Sequence, residues 1–160
     1  MRKLFQIAIL FTSTLVLSQD SRVFDNLKVN SKILNQERSY AVYLPADYDS
    51  SERSYPVLYL LHGLGDDQTG WIILGDVQRI TDESINSGIS TPMIIVMPDA
   101  NTGVTGYINY PDRDWFYEDF FFEELIPHVE SQYRIKKGKQ YRAISGLSMG
   151  GGDTLVYALH

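Results

Sequence analysis

Two alternating stretches precede the apolar runs of this chain. Residues Val23 to Ser31 and Glu37 to Leu44 flank the polar pair Asn35-Gln36, and in the second Tyr40, Val42 and Leu44 fall on one face while Ser39, Ala41 and Tyr43 fall on the other. That period of two predicts an antiparallel pair of strands. The pattern then changes to an unbroken apolar run, Pro56 to Leu61, of the length expected of a strand buried on both faces, which stops at His62-Gly63-Leu64-Gly65. A helical stretch near Asp76 to Ser87 ends at Gly88, and Pro92 to Met97 repeats the buried-strand pattern up to Pro98-Asp99. Beyond a polar loop, Ala100 to Asp114, residues Phe122, Ile126, Val129 and Tyr133 recur at helical spacing, with Pro127 expected to kink the helix and Gly138 to close it. Tyr141 to Ser145 predicts a third short strand running into Gly146, and Met149 to Leu159 is helical again. Two strands followed by three strand-helix units predict an α/β fold, with a mostly parallel sheet and helices on both faces.

The first residues stand apart from this pattern. Arg2-Lys3, the largely apolar stretch Leu4 to Leu17 and then Ser18-Gln19-Asp20 fit a secretory signal peptide cleaved after Ser18, too short to span a bilayer comfortably. The expected organisation is therefore a signal peptide over 1–18, with 19–160 as part of one domain and no membrane span after cleavage. Over 160 residues the net charge is -6, and losing Arg2 and Lys3 makes the remainder more acidic. With no basic cluster to follow a phosphate backbone, nucleic acid is excluded as a partner. Cysteine is absent, so neither a disulfide framework nor a thiol nucleophile is available, and hydrophobic packing must hold the fold. His62, His128 and His160 lie far apart without an i, i+4 pair, which argues against a metal site.

The chemistry concentrates in two glycine-rich turns at the carboxyl ends of predicted parallel strands, where α/β sheets gather functional groups. In Gly146-Leu147-Ser148-Met149-Gly150-Gly151-Gly152, a tight strand-to-helix turn forces Ser148 outward as a candidate nucleophile. The Met149 amide, at the start of the new helix, is a candidate oxyanion donor. A phosphate cradle is the competing reading, but no lysine lies between Gly146 and His160. The turn His62 to Gly65 would add the backbone N–H of Leu64 as the second oxyanion donor. His62 itself is expected to serve loop structure, and His128 to sit solvated on a polar helix face. Asp99 and the loop through Tyr110 are expected near the substrate pocket. Trp71, Tyr107, Tyr110 and Trp115 are aromatic candidates for stacking on a sugar.

Taken in order, Leu60-Leu61-His62-Gly63-Leu64-Gly65, Gly70-Trp71, Pro92 to Val96 with Pro98-Asp99, Glu123 to Glu130 and Gly146 to Gly151 make the chain resemble the esterase D and feruloyl esterase group, which includes the mycolyltransferases. The resemblance runs from about Arg38 onward. It implies an α/β-hydrolase fold and cofactor-free hydrolysis of a small-molecule or polysaccharide-linked ester, with an acyl-enzyme on Ser148 and oxyanion amides from Leu64 and Met149. Feruloyl or acetyl esters of carbohydrates are the implied substrate class. S-formylglutathione hydrolysis, acyl transfer and non-catalytic carbohydrate binding remain alternatives. After Ser148 the only acid and histidine are Asp153 and His160. His160, some 18 Å along a helix from the serine, is out of reach as a base. Asp153 is expected on an exposed helix position. The triad acid and base, with the last strands of the sheet, are thus expected outside this chain, which alone should be nearly inactive.

Overall fold

The computed structural model of the chain describes residues 20–102 and 104–159. The expected signal peptide and His160 lie outside the described residues. Strands β1 (Arg22–Ser31) and β2 (Gln36–Leu44) form the expected antiparallel pair, turning through Asn35 at φ 51°. Then come β3 (Val57–Leu61), the short helix α1 (Gly70–Ile73), α2 (Val77–Asn86) and β4 (Ile94–Pro98). Two hairpins of two-residue strands follow, β5 (Asn101–Thr102) with β6 (Val104–Thr105) and β7 (Asn109–Tyr110) with β8 (Trp115–Phe116). The short α3 (Tyr117–Asp119) continues through a π-helical stretch (Phe120–Leu125) into α4 (Ile126–Gln132), and β9 (Arg142–Gly146) leads to α5 (Met149–Tyr157).

The main sheet has the order β1-β2-β4-β3-β9, in which β4, β3 and β9 are parallel and β2 runs antiparallel to β4. Alternation divides the core between the two faces. Tyr40, Val42, Val57, Tyr59, Leu61, Ile94 and Val96 pack with Phe121, Leu125, Val129 and Tyr157 of the π-α4 segment and α5. Ala41, Tyr43, Leu60, Ile95 and Met97 pack with Val77 of α2 and half-buried Trp71 of α1. Strands β3 and β4 are largely buried because helices cover both faces, which is why their sequences read as runs instead of alternations. Among the described residues β9 is an edge, paired only with β3, and a groove of about 520 Å³ lined by Tyr59, Phe121, Phe122, Ala143, Ile144 and Tyr157 opens beside it.

Pro127 falls inside the continuous helical run from Tyr117 to Gln132, directly after the π-helical stretch, so the irregular turns of that run adjoin the proline. Two local expectations are corrected. The helix ends at Gln132, before Gly138, because Tyr133 is already extended and Arg134 and Lys136 exchange backbone hydrogen bonds with Tyr55. Gly138, at φ 112°, instead enters the short turn before β9. The segment Ala100 to Asp114, read as a polar loop, carries the first small hairpin and strand β7 of the second and buries Tyr107 completely, while Trp115 of β8 is 3% exposed. Buried rings of this kind cannot stack on a sugar.

Candidate active site

Parallel pairing brings the two glycine-rich turns together. Leu61 of β3 is in register with Gly146 of β9, so the chain leaves both strands at the same level of the sheet. A β-carbon built on Gly63 would lie 3.6 Å from Ser148 Cβ. Ser148 adopts φ 53°, ψ -112°, a conformation that L-residues rarely occupy, and α5 starts at the next residue. The glycines around it are required by contact. A Cβ on Gly146 would come within 2.5 Å of the Gly150 carbonyl carbon, and one on Gly150 within 2.6 Å of Leu61 Cβ. The elbow is tied back to β3 by the Leu147 amide, which donates to Leu61 O at 3.2 Å. Leu64 and Leu147 are exposed on the rim, at 73% and 60%.

The turn after β3 closes through the Asp66 amide, which donates to Gly63 O at 3.3 Å, with Gly65 at φ 83° in the third position, which type II turns reserve for glycine. His62 is 1% exposed. Its Nδ1 lies 2.8 Å from Gly63 O, and its Nε2 accepts the Ala100 amide at 3.0 Å. A carbonyl only accepts and an amide only donates, so Nδ1 carries the proton and Nε2 does not. The His62 amide in turn donates to Tyr107 Oη at 2.8 Å.

Asp99, at the end of β4, is turned inward and 5% exposed. Its Oδ2 accepts Arg38 Nη2 at 3.2 Å and its Oδ1 accepts the Asn101 amide at 2.8 Å. Burial raises the carboxyl, while hydrogen bonding from the Asn101 amide and the charge of Arg38 lower it, and its pKa lies below the ordinary value. Arg38 is itself fully buried, beside the rings of Trp115 and Tyr117. The carboxylate at the expected pocket position is thereby taken up by framework partners. Trp71 is half-buried on α1, and its indole N–H donates to Leu61 O at 3.1 Å, the same carbonyl that holds the elbow. Packing against the sheet engages it likewise.

Two further side chains sit differently from their expectation. Asp153 is half-buried, accepting the Tyr107 amide at 3.2 Å, and burial pushes its pKa up. His128 Nε2 lies 3.0 Å from Tyr40 Oη, and burial holds its pKa down. Helix packing that periodicity on one element cannot register accounts for both. Arg38 and Tyr107 were not singled out as framework residues by the sequence. Arg38 did leave a signal, being a charge on the strand face that carries Tyr40, Val42 and Leu44; Tyr107 left none.

Comparison with known proteins fits this geometry. The family model described as "Putative esterase" matches residues 31–160. The chain is 36% identical over 126 residues to an endo-1,4-beta-xylanase/feruloyl esterase of Xylanibacter ruminicola, covering 74% of this chain and 17% of that one. It is 40% identical over 123 residues to an esterase of Mycobacterium tuberculosis, covering 73% and 25%. Among solved structures, a ferulic acid esterase superposes with TM-score 0.83 at 40% identity, over 88% of this chain and 55% of that one. A serine-to-alanine mutant of the feruloyl esterase module from Clostridium thermocellum, complexed with sinapinate, superposes with TM-score 0.70 at 28% identity, over 89% and 50%. The chain thus spans about half the length of these structures and a quarter or less of the two curated relatives. Its fold is that of the α/β-hydrolase esterases, and the chain belongs to the family described as "Putative esterase".

Proposed function

We propose that this chain carries the nucleophile and oxyanion hole of a secreted serine carboxylic ester hydrolase acting on feruloyl- or acetyl-type esters of carbohydrates. The observation that carries the reading is Ser148 on its strained elbow, 3.6 Å from the position of a Gly63 β-carbon and one residue before a nine-residue helix. Attack of Ser148 Oγ on the ester carbonyl forms a tetrahedral oxyanion, which the amides of Leu64 and Met149 stabilise. The alcohol leaves, and water then releases the acid from the acyl-enzyme. No cofactor enters these steps.

Neither histidine among the described residues suits the general base. Both ring nitrogens of His62 are engaged, and His128 is held on α4 against Tyr40 of β2. Asp153 is engaged by the Tyr107 amide. The base and its orienting acid are therefore assigned to residues outside those described. The substrate class follows the feruloyl esterases among the relatives, and export follows Arg2-Lys3 with the apolar Leu4 to Leu17. In this reading Trp71 and Asp99 support the site through Leu61 and through the loop after β4.

Fluorophosphonate labelling and hydrolysis of methyl ferulate and p-nitrophenyl acetate by the intact protein, beside Ser148→Ala, test the assignment. Labelling and hydrolysis should both disappear in the variant, with a fall on the order of 10⁶ in turnover. Hydrolysis unchanged by Ser148→Ala would refute it.

A further inference from the structure

The peptide bond between Gly63 and Leu64 holds the Gly63 carbonyl and the Leu64 N–H in one plane, pointing in opposite directions. Whatever fixes the carbonyl fixes the aim of the amide. The Gly63 carbonyl has two donors, the Asp66 amide at 3.3 Å and His62 Nδ1 at 2.8 Å, and the histidine contact is the shorter. The imidazole cannot swing away, because its other nitrogen accepts the Ala100 amide at 3.0 Å from the loop after β4 and its ring packs against Tyr107 with centroids 5.4 Å apart. Resting on the esterase reading above, we infer that His62 is a positioning residue: locked as the neutral Nδ1–H tautomer, it aims the Leu64 amide into the oxyanion hole.

The frame that locks it also reaches the other oxyanion amide. Tyr107 accepts the His62 amide through its hydroxyl, donates its own amide to Asp153 of α5, and accepts the Tyr157 hydroxyl of α5 at its carbonyl. Met149 is the first residue of that same helix. The amides of Leu64 and Met149 are therefore referenced to one another through Tyr107 and His62 as well as through the β3–β9 ladder. Their mutual placement matters because a donor stabilises the transition state only when preorganised at the oxyanion position. Proton transfer is not part of this role, as the nitrogen that lacks a proton already accepts one hydrogen bond inside the core.

The tautomer is read directly from two-bond ¹H–¹⁵N spectra of the unaltered, ¹⁵N-histidine-labelled intact protein, with His62 assigned by the signal lost in His62→Asn. A pyrrole-type Nδ1 with a pyridine-type Nε2 is expected, and an Nε2–H or averaged tautomer overturns the proposal. Kinetics supply the functional arm. For His62→Ala, kcat on p-nitrophenyl acetate should fall roughly 10²-fold with KM changed less than about threefold, since the lost interaction acts on the transition state. Asparagine places an N–H near the Nδ1 position, so His62→Asn should recover to within about tenfold of wild type. A folded His62→Ala with wild-type kcat, or a loss that asparagine leaves unrescued, overturns the proposal. If His62→Ala does not fold, the tautomer decides alone. Failure of the esterase reading itself would appear separately, as hydrolysis surviving Ser148→Ala.

Discussion

Replacing Gly150 with alanine puts a methyl group into the closest approach between the nucleophile helix and the sheet. The new Cβ would lie 2.6 Å from Leu61 Cβ and 2.7 Å from both Leu61 O and His62 O. Comfortable separations are about 3.5 Å or more, so α5 must back away by roughly 1 Å. None of the three atoms is the end of a flexible side chain, which places the cost at the upper end of overpacking, about 3 kcal/mol. At roughly 3 °C per kcal/mol for a domain of this size, Tm should fall by about 10 °C. The same displacement carries Ser148 and the Met149 amide away from Leu64, and a misplacement of about 1 Å costs on the order of 10² in rate. Gly152, on the same helix, is the control: its Cβ would meet nothing within 4 Å, so Gly152→Ala should gain about 0.5–1 kcal/mol from helix propensity alone. Thermal melts by circular dichroism and the rate of fluorophosphonate labelling at Ser148 check both halves. A Gly150→Ala protein that melts within about 2 °C of wild type and labels at the wild-type rate would refute the contact argument.

Two further outcomes are expected. Arg38→Met leaves the Asp99 carboxylate buried without its cation, so urea denaturation should show a loss of about 3–5 kcal/mol, and adding Asp99→Asn should recover part of it; equal stability of the single and double variants would contradict the pairing. The Asp153 carboxyl has a raised folded-state pKa, so the stability it lends is present below its unfolded pKa and is lost as pH rises through the folded one. Asp153→Asn, whose amide oxygen can still accept the Tyr107 N–H, should therefore be more stable than wild type near pH 7 and lose that advantage near pH 3. Denaturant titrations at the two pH values measure the difference, and an advantage independent of pH would count against it.

Sequence alone determined the elements that repeat a simple period and the turn that carries a local steric demand. Strands β1 to β4 and β9 and helix α2 were legible because alternation and apolar runs report burial directly, one residue at a time. The elbow at Ser148 was legible because glycines packed within five positions are needed wherever strand and helix approach this closely, and the contacts at Gly146 and Gly150 bear that out. Two-residue hairpins and a π-helical stretch carry no such period, so β5 to β8 and the passage into α4 were settled by packing among Tyr107, Trp115, Tyr117 and Phe120.

What each buried polar group does was likewise decided only in three dimensions. The expectation that His62 serves loop structure came from its place at a strand end; the pair of partners that fixes its tautomer lies at Gly63 and at Ala100, in the loops after β3 and β4. Arg38 and Asp99 are 61 residues apart, and Asp153 meets Tyr107 across 46. A hydrogen bond depends on distances of a few tenths of an ångström between atoms that the sheet order brings together. Residue type and spacing along the chain do not encode that proximity.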